Sequence, residues 1–489
     1  MNTHHELPPV KNEPYLRSVY EKSQDILFLT VEYPVSSSES TRLLLYYCQG
    51  LTDTDKLNQT VLPRLAEAAP DIASEAPHVL SGITGLNLQP VEGKDWFRQA
   101  NDLLFRGHLL ILTESDRLYS CNLAAPLSRS PEEPKTETSL LGPRDGFIEQ
   151  LDTNVALIRK RLLSHHLSYK EFRVGLKSRT RVGLMYMDGT TDPRTIRVVE
   201  ERISRLEMDG LFSISELIER IVDSKFALFP AAYHSGRPDF AVRALLKGRL
   251  VILFDGSPTV AIAPITVTFA FKSAEDAHTH FYFVAFGRLL RMFGLFLAVF
   301  LPGFWIALLT FHQDQFPVSM LATIVISRQG VPFPSQLELF AMLILFELFR
   351  EAGMRLPPNV GQTLSVVGGL IIGQAAISAG LASPSMVVVM ATSMVASFVT
   401  TTQTLFGTIS ILRIFVLILS ASFGLFGFLL SAFAIITYLV NQTSFGVPLM
   451  APLSPTSFKE IVPEFFRTPF NRLTKRLRFL QKTSPEREE

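Results

Sequence analysis

Along the chain the pattern of apolar and polar positions changes once. Up to about Ala274 short apolar runs alternate with charged ones, whereas from Met292 to Val440 charged side chains nearly vanish outside the stretch Gln336 to Pro357. In the first part, RLLLYYCQGLTDTDKL (Arg42 to Leu57) is followed by LLFRGHLLIL (Leu103 to Leu112), and RVGLMYMDGTTDPRTI (Arg181 to Ile196) by ALLKGRLVIL (Ala244 to Leu253). Each set reads as an apolar strand, a Gly turn (Gly50 or Gly189), a Thr-Asp helix cap (Thr52 and Asp53, or Thr191 and Asp192), a helix, and a second apolar strand. The fold class predicted is an α/β soluble N-terminal region of two related subdomains followed by an all-α multi-span membrane domain.

The same pattern sets the boundaries. A polar N-terminal tail, 1–24, precedes subdomain 1, 25–125. A linker rich in Pro and acidic residues, 126–146, leads to subdomain 2, 147–275. The helix IEQLDTNVALIRKRLL that opens subdomain 2 aligns Leu151, Val155, Ile158 and Leu162 on one face, which should pack on that subdomain. A transmembrane domain of four to six spans, 276–443, is followed by a basic tail, 444–489.

The clearest span is RMFGLFLAVFLPGFWIALLTF, whose 20 uncharged residues from Met292 suffice to cross the hydrocarbon at about 1.5 Å per residue. Pro302 and Gly303 should bend it, and the carbonyls they free need protein partners. Further candidates are Val360 to Leu381, Met386 to Thr402, and Ile409 to Val440, the last read as a hairpin around Gly424 and Gly427. Arg288 and Arg291 before the first span, and the basic segment after the last, place both termini in the cytoplasm and make the span count even. The polar start has no apolar signal region, in keeping with a cytoplasmic first half.

Two of these segments carry small or hydroxylated faces. Gly361, Ser365, Gly369 and Gly373 recur every fourth position, with Ala376 and Gly380 near the same edge, a ridge suited to close helix packing within the chain or between copies. Ser393, Ser397, Thr400 and Thr404 fall on one helical face. Such a stripe either lines a wet ion path or bonds back to its own carbonyls.

The stretch QLELFAMLILFELFREAGMRLP breaks the apolar pattern with Glu338, Glu347, Arg350, Glu351 and Arg355. Only eight uncharged residues separate Glu338 from Glu347, about 12 Å of helix against a core of about 30 Å. Each central charge costs roughly 2.5 to 3.5 kcal/mol on insertion, against about 0.3 to 0.6 regained per Leu, Ile or Phe. By phase Glu347, Arg350 and Glu351 share one face and Glu338 lies opposite. Pairs Glu347–Arg350 and Glu351–Arg355 would reduce the burial cost. The helix therefore lies in the interface, is re-entrant, or faces a water-filled interior, either as a structural element or in a pore or gate.

Candidate chemistry narrows the picture by what the motifs exclude. A formal net charge of +1 over 489 residues gives no case for nucleic acid. Cys48 and Cys121 lack metal spacing and read as buried thiols. DGTTDP (Asp188 to Pro193) lacks the lysine and glycines of a phosphate loop and reads as a cap with Pro in the first turn. His278 and His280 have no third ligand nearby. With no nucleophile elbow, zinc signature or dinucleotide fingerprint, no enzyme activity, metal or cofactor is expected.

The run VPFPSQLELFAMLILFELFREAGMRLPPNVGQTLSVVGGLIIGQAAISAGLASPSM (Val331 to Met386) resembles the signature region of GerA-type spore germinant receptor A subunits. RSPEEP, GPRDGFIEQLDTNVALIRKRL and SFGVPLMAPLSP are also similar to that family, so that the resemblance covers about residues 25 to 475. It implies a multi-pass protein of the spore inner membrane, acting with a transporter-like B subunit and a lipoprotein C subunit. It also implies a homo-oligomer forming a nutrient-gated ion channel. Alternatives are a SpoVAF-like amplifier of ion release, a secondary transporter, and a non-conducting scaffold.

Overall fold

The computed structural model describes residues 10–34, 40–68, 86, 88–93, 95–124, 137, 141–224, 227–355, 373–399 and 404–454. The first half holds two five-stranded antiparallel sheets. In the first, β1 (Ile26–Pro34), β2 (Ser40–Cys48), β3 (Leu88–Pro90), β4 (His108–Thr113) and β5 (Leu118–Asn122) stand in the order β1-β2-β4-β5-β3. In the second, β6 (Leu167–Val174), β7 (Thr180–Met187), β8 (Tyr233–Ser235), β9 (Leu250–Phe254) and β10 (Val260–Ala263) stand in the order β6-β7-β9-β10-β8. Each strand of the second sheet takes the place of the one five earlier. Strand β9, LVILF, is buried at every position because helices cover both faces of its sheet, which explains an apolar run without alternation.

The turns that repeat in the sequence repeat in space. Gly50 and Gly189 have φ of 82° and 72°, a region that L side chains adopt only with strain. Asp53 then accepts a hydrogen bond from the Lys56 N–H at 3.0 Å, and Asp192 from the Arg194 N–H at 2.9 Å, each closing a helix N-terminus.

Helix α1 (Leu151–Arg161) lies between the sheets. Leu151, Val155 and Ile158 enter the core of the second sheet, while Ala156 joins the core of the first. Arg159 fastens the two halves: its Nε and Nη2 donate to Asp25 at 2.7 and 2.8 Å, and its Nη1 to the Leu167 carbonyl at 2.6 Å. Arg159 is 0% exposed and Asp25 3%, so this two-pronged pairing and the bond to Leu167 together offset their desolvation. Cys48, beside Asp25, and Cys121 are buried free thiols, and burial holds the Cys48 pKa well above its ordinary value.

The second half is helical: α2 (Phe281–Phe311), α3 (Val318–Ser327), α4 (Ser335–Arg355), α5 (Pro384–Ser397) and α6 (Thr404–Asn441). Helices α2 and α6, with 31 and 38 residues and an 18-residue stretch of mean hydropathy 2.3 in each, are long and apolar enough to cross a membrane. Helix α6 breaks at Gly424, whose φ of 63° and ψ of −140° are non-helical. Its first arm follows α2 in the same direction, Arg413 beside Ala298, Val416 beside Gly303 and Gly424 beside Phe311. The second arm returns, with the Phe428 ring 5.5 Å from Phe304 and 5.9 Å from Phe300. Thr408 on one arm donates to the Leu228 carbonyl, and Tyr438 on the other accepts from the Leu228 N–H, so both ends of α6 meet the α/β half. Phe286, Phe293, Phe296, Ile418, Phe426 and Phe433 leave an exposed apolar surface on the outside of this bundle.

Two joints tie the helices to the second sheet domain. At the entrance, Glu275 accepts from Arg237 of that domain, while Asp276 accepts from Arg288 Nε at 2.9 Å and Arg291 Nη1 at 3.0 Å on α2. At the exit, the segment after α6 folds back instead of beginning a free tail. Ser444 donates to the Ala231 carbonyl at 2.7 Å and accepts from the Ile265 N–H at 3.0 Å. Asp223 accepts from Thr443 Oγ1 at 2.8 Å and the Gly446 N–H at 3.0 Å, and pairs with Arg202 at 2.7 Å.

Candidate functional site

The polar centre of the helical half starts from a missing donor. Pro302 has no N–H, so the carbonyl of Ala298, one turn earlier in α2, has no intrahelical partner. Gly303 beside it lets α6 approach: a Cβ there would lie 2.6 Å from Val416 Cγ1 and 2.9 Å from Ser420 Oγ. Two side chains reach the freed carbonyl through this contact, Arg413 Nε of α6 at 2.7 Å and Ser393 Oγ of α5 at 2.8 Å. The freed carbonyl anticipated near Pro302 thus has named partners.

Arg413 extends the network to α4. Its Nη1 contacts Met394 Sδ at 2.8 Å and lies 3.5 Å from Glu347 Oε1. Glu347 Oε1 also accepts from Ser410 Oγ at 2.6 Å, and its Oε2 pairs with Arg350 Nη2 at 2.7 Å. Arg350 Nη1 in turn donates to Ser410 Oγ at 2.6 Å. Four helices therefore meet at one hub of two guanidiniums and one carboxylate. Arg413 is 0% exposed, while the side chains of Glu347 and Arg350 are 20% and 14% exposed, which opens the hub on the α4 side. Ionisable groups inside an apolar bundle are costly to desolvate, and this arrangement retains them through mutual pairing.

The other anticipated residues fall elsewhere. Glu338 is 1% exposed on the opposite face of α4. Its Oε1 accepts from both the N–H and the Oγ of Ser383, each at 2.6 Å, and its Oε2 lies 3.5 Å from Arg328 Nη2. Since Ser383 is the N-cap of α5, this carboxylate sits at the positive end of that helix. Glu351 is exposed, and the side chain of Arg355 lies outside the described residues. The Glu347–Arg350 pair forms as the i, i+3 spacing suggests.

Ser393 and Ser397 are both buried, the first on Ala298 and the second donating to the Met394 carbonyl at 2.6 Å. The single helical face expected to run from Ser393 to Thr404 is interrupted, because α5 ends at Ser397 and Thr404 begins α6. Thr400 lies outside the described residues, as do Gly361, Ser365 and Gly369. Of the rest of that small-residue ridge, a Cβ at Gly373 would lie 3.4 Å from Val387 Cγ1, Ala376 is buried with Met386 and Met390, and Gly380 approaches Gly330. These contacts lie within the chain.

Sequence reasoning passed over Arg413, Ser410, Arg328 and Ser383. A single charge in ISILRIFVL disappears into the average hydropathy of its run. The signal that could have found it was Pro302, whose freed carbonyl called for a donor.

Comparison with known proteins adds the relatives. The family described as Bacillus/Clostridium GerA spore germination protein matches residues 14–479. Spore germination protein XA of Bacillus anthracis is 42% identical over 95% of this chain and 94% of its own length. Spore germination protein KA of Bacillus subtilis (strain 168) is 32% identical, covering 94% of this chain and 84% of its own. Spore germination protein GerLA of Bacillus cereus is 32% identical, covering 93% and 92%. Among solved structures, the N-terminal domain of the A subunit of the Bacillus megaterium spore germinant receptor GerK3 matches 51% of this chain and 93% of its own, at 22% identity and a TM-score of 0.38. With the family match extending over nearly the whole length and full-length relatives above 30% identity, this chain belongs to the GerA family of spore germination proteins.

Proposed function

We propose that this protein is the A subunit of a nutrient-responsive spore germinant receptor, a multi-pass protein of the spore inner membrane with both termini in the cytoplasm. In this reading it works with a transporter-like B subunit and a lipoprotein C subunit, and several copies form the channel whose cation release starts germination. The observation that carries the reading beyond family membership is the hub of Glu347, Arg350, Ser410 and Arg413, a polar centre inside an otherwise apolar bundle. The exposed apolar flank supports lipid contact, and the return of both α6 arms to Leu228 supports an even number of crossings.

Within this reading the hub acts as a gate rather than as a pore lining. Ser393 and Ser397 are 0% exposed and donate to carbonyls inside the bundle, which supports a packing role for them. Glu275 and Asp276 would carry the signal from the soluble half to α2. The test is single-channel recording of the purified protein in planar bilayers, alone and with its receptor partners. Steady unitary conductance supports the channel, whereas flux limited to transporter turnover, or none, assigns the protein to the transporter or scaffold class.

A further inference from the structure

Arg413 is 0% exposed yet poorly satisfied. Its Nε has a good acceptor, but Nη1 rests on a thioether, a weak acceptor, and stands 3.5 Å from the carboxylate. Nη2 meets no acceptor among the described residues, and neither does the buried Nε of Arg350. Both guanidiniums flank the one carboxylate of Glu347, so the trio carries one positive charge in excess. A buried donor without an acceptor costs about 1–3 kcal/mol, and more when it is charged.

We propose that Arg350 and Arg413 together bind one small monovalent anion of the halide class. The anion takes up the two spare N–H groups and neutralises the hub. Its size follows from burial: a side chain of another macromolecule has no access to Arg413, whereas a single ion can enter past the partly exposed Glu347 and Arg350. Its charge follows from the surroundings. Two guanidiniums against the one carboxylate of Glu347 leave the trio one positive charge, which a single negative charge balances. A dianion would reverse the imbalance and loses more hydration on burial. The site does not depend on whether the protein conducts.

The test uses the full-length protein purified in detergent and exchanged into gluconate. Chloride or bromide is titrated in at constant ionic strength while the thermal unfolding midpoint and the chloride-35 NMR line width are followed. The expected result is a saturable rise of the midpoint and line broadening with halide but not with gluconate. Arg350→Gln, at the open edge of the hub, should weaken halide affinity on the order of tenfold or more, and Arg413→Lys, which keeps the charge but loses the fork, should also weaken it. Lys177→Gln, in an exposed ion pair of the soluble half, should respond as the parent does. A midpoint and line width indifferent to the anion would overturn the proposal and assign the spare N–H groups to water. A halide response unchanged in Arg350→Gln would overturn it equally.

Discussion

Arg413 donates its Nε–H to the carbonyl oxygen of Ala298, the acceptor that Pro302 strands one turn further along α2. A backbone defect in one helix and a buried charge in another thus compensate each other. Ser393 shares the same oxygen from a third helix.

Ser393→Ala should cost about 1 kcal/mol, the ordinary worth of a net hydrogen bond. In a Pro302→Ala background the cost should shrink, because residue 302 then offers its own N–H to Ala298. A double-mutant cycle on detergent-solubilised protein reads the coupling, and strictly additive costs would refute the link.

Glu347→Gln removes the carboxylate that pairs with both Arg350 and Arg413, whereas Glu338→Gln keeps a carbonyl oxygen for the Ser383 donors. Nutrient-triggered ion release at matched protein level should fall on the order of tenfold in the first and much less in the second. Equal losses would remove the hub's claim to a gating role.

A methyl group at Gly427 would overlap the Leu419 carbonyl across the α6 turn. Gly427→Ala should therefore destabilise the hairpin by about 1–3 kcal/mol or more. Limited proteolysis of membrane preparations, comparing cleavage between the two arms with that in the parent, checks it.

Asp276→Asn should leave membrane insertion and protein level intact while weakening the nutrient response, since Arg288 and Arg291 lose their shared carboxylate at the base of α2. Immunoblotting of spore membranes alongside a germination assay separates the two effects. A normal response would show that the entrance joint carries no signal.

Burial acts to raise the Asp223 pKa, but the bonds from Gly446, Thr443 and Arg202 outweigh it and hold the carboxyl below its ordinary 3.8. Because the folded value lies beneath the unfolded one, its stabilisation is complete above pH 3.8 and fades as pH falls through the lower, folded value. Asp223→Asn should remove that part of the acid sensitivity. Hydrogen exchange at the Gly446 amide, followed from neutral pH downward, would report the exit joint opening.

The duplicated layout of the α/β half was legible because strand, Gly turn and Asp cap are local signals that need only neighbouring residues. The hairpin in α6 was legible for the same reason, since Gly424 and Gly427 punctuate an apolar run. Arg413 was not, because its meaning depends on a carbonyl more than a hundred positions away that only the folded chain brings near. The hydroxyl periodicity from Ser393 to Thr404 misled, since spacing assumes one continuous helix and cannot register that α5 stops at Ser397. Glu338 was placed correctly on the opposite face of α4 by phase, but its partner Ser383 arrives from another helix.

Glu275 and Asp276 are adjacent in the chain and hold opposite sides of the entrance joint, so one peptide unit separates the contact with the α/β half from the contact with α2. A helix of 31 residues extends about 46 Å from that point. Such a lever, tilted by about 5° at its base, would carry its far end about 4 Å sideways, enough to move a side chain clear of its neighbour. A rotation too small to disturb either sheet can thus become a displacement on the far side of the bundle.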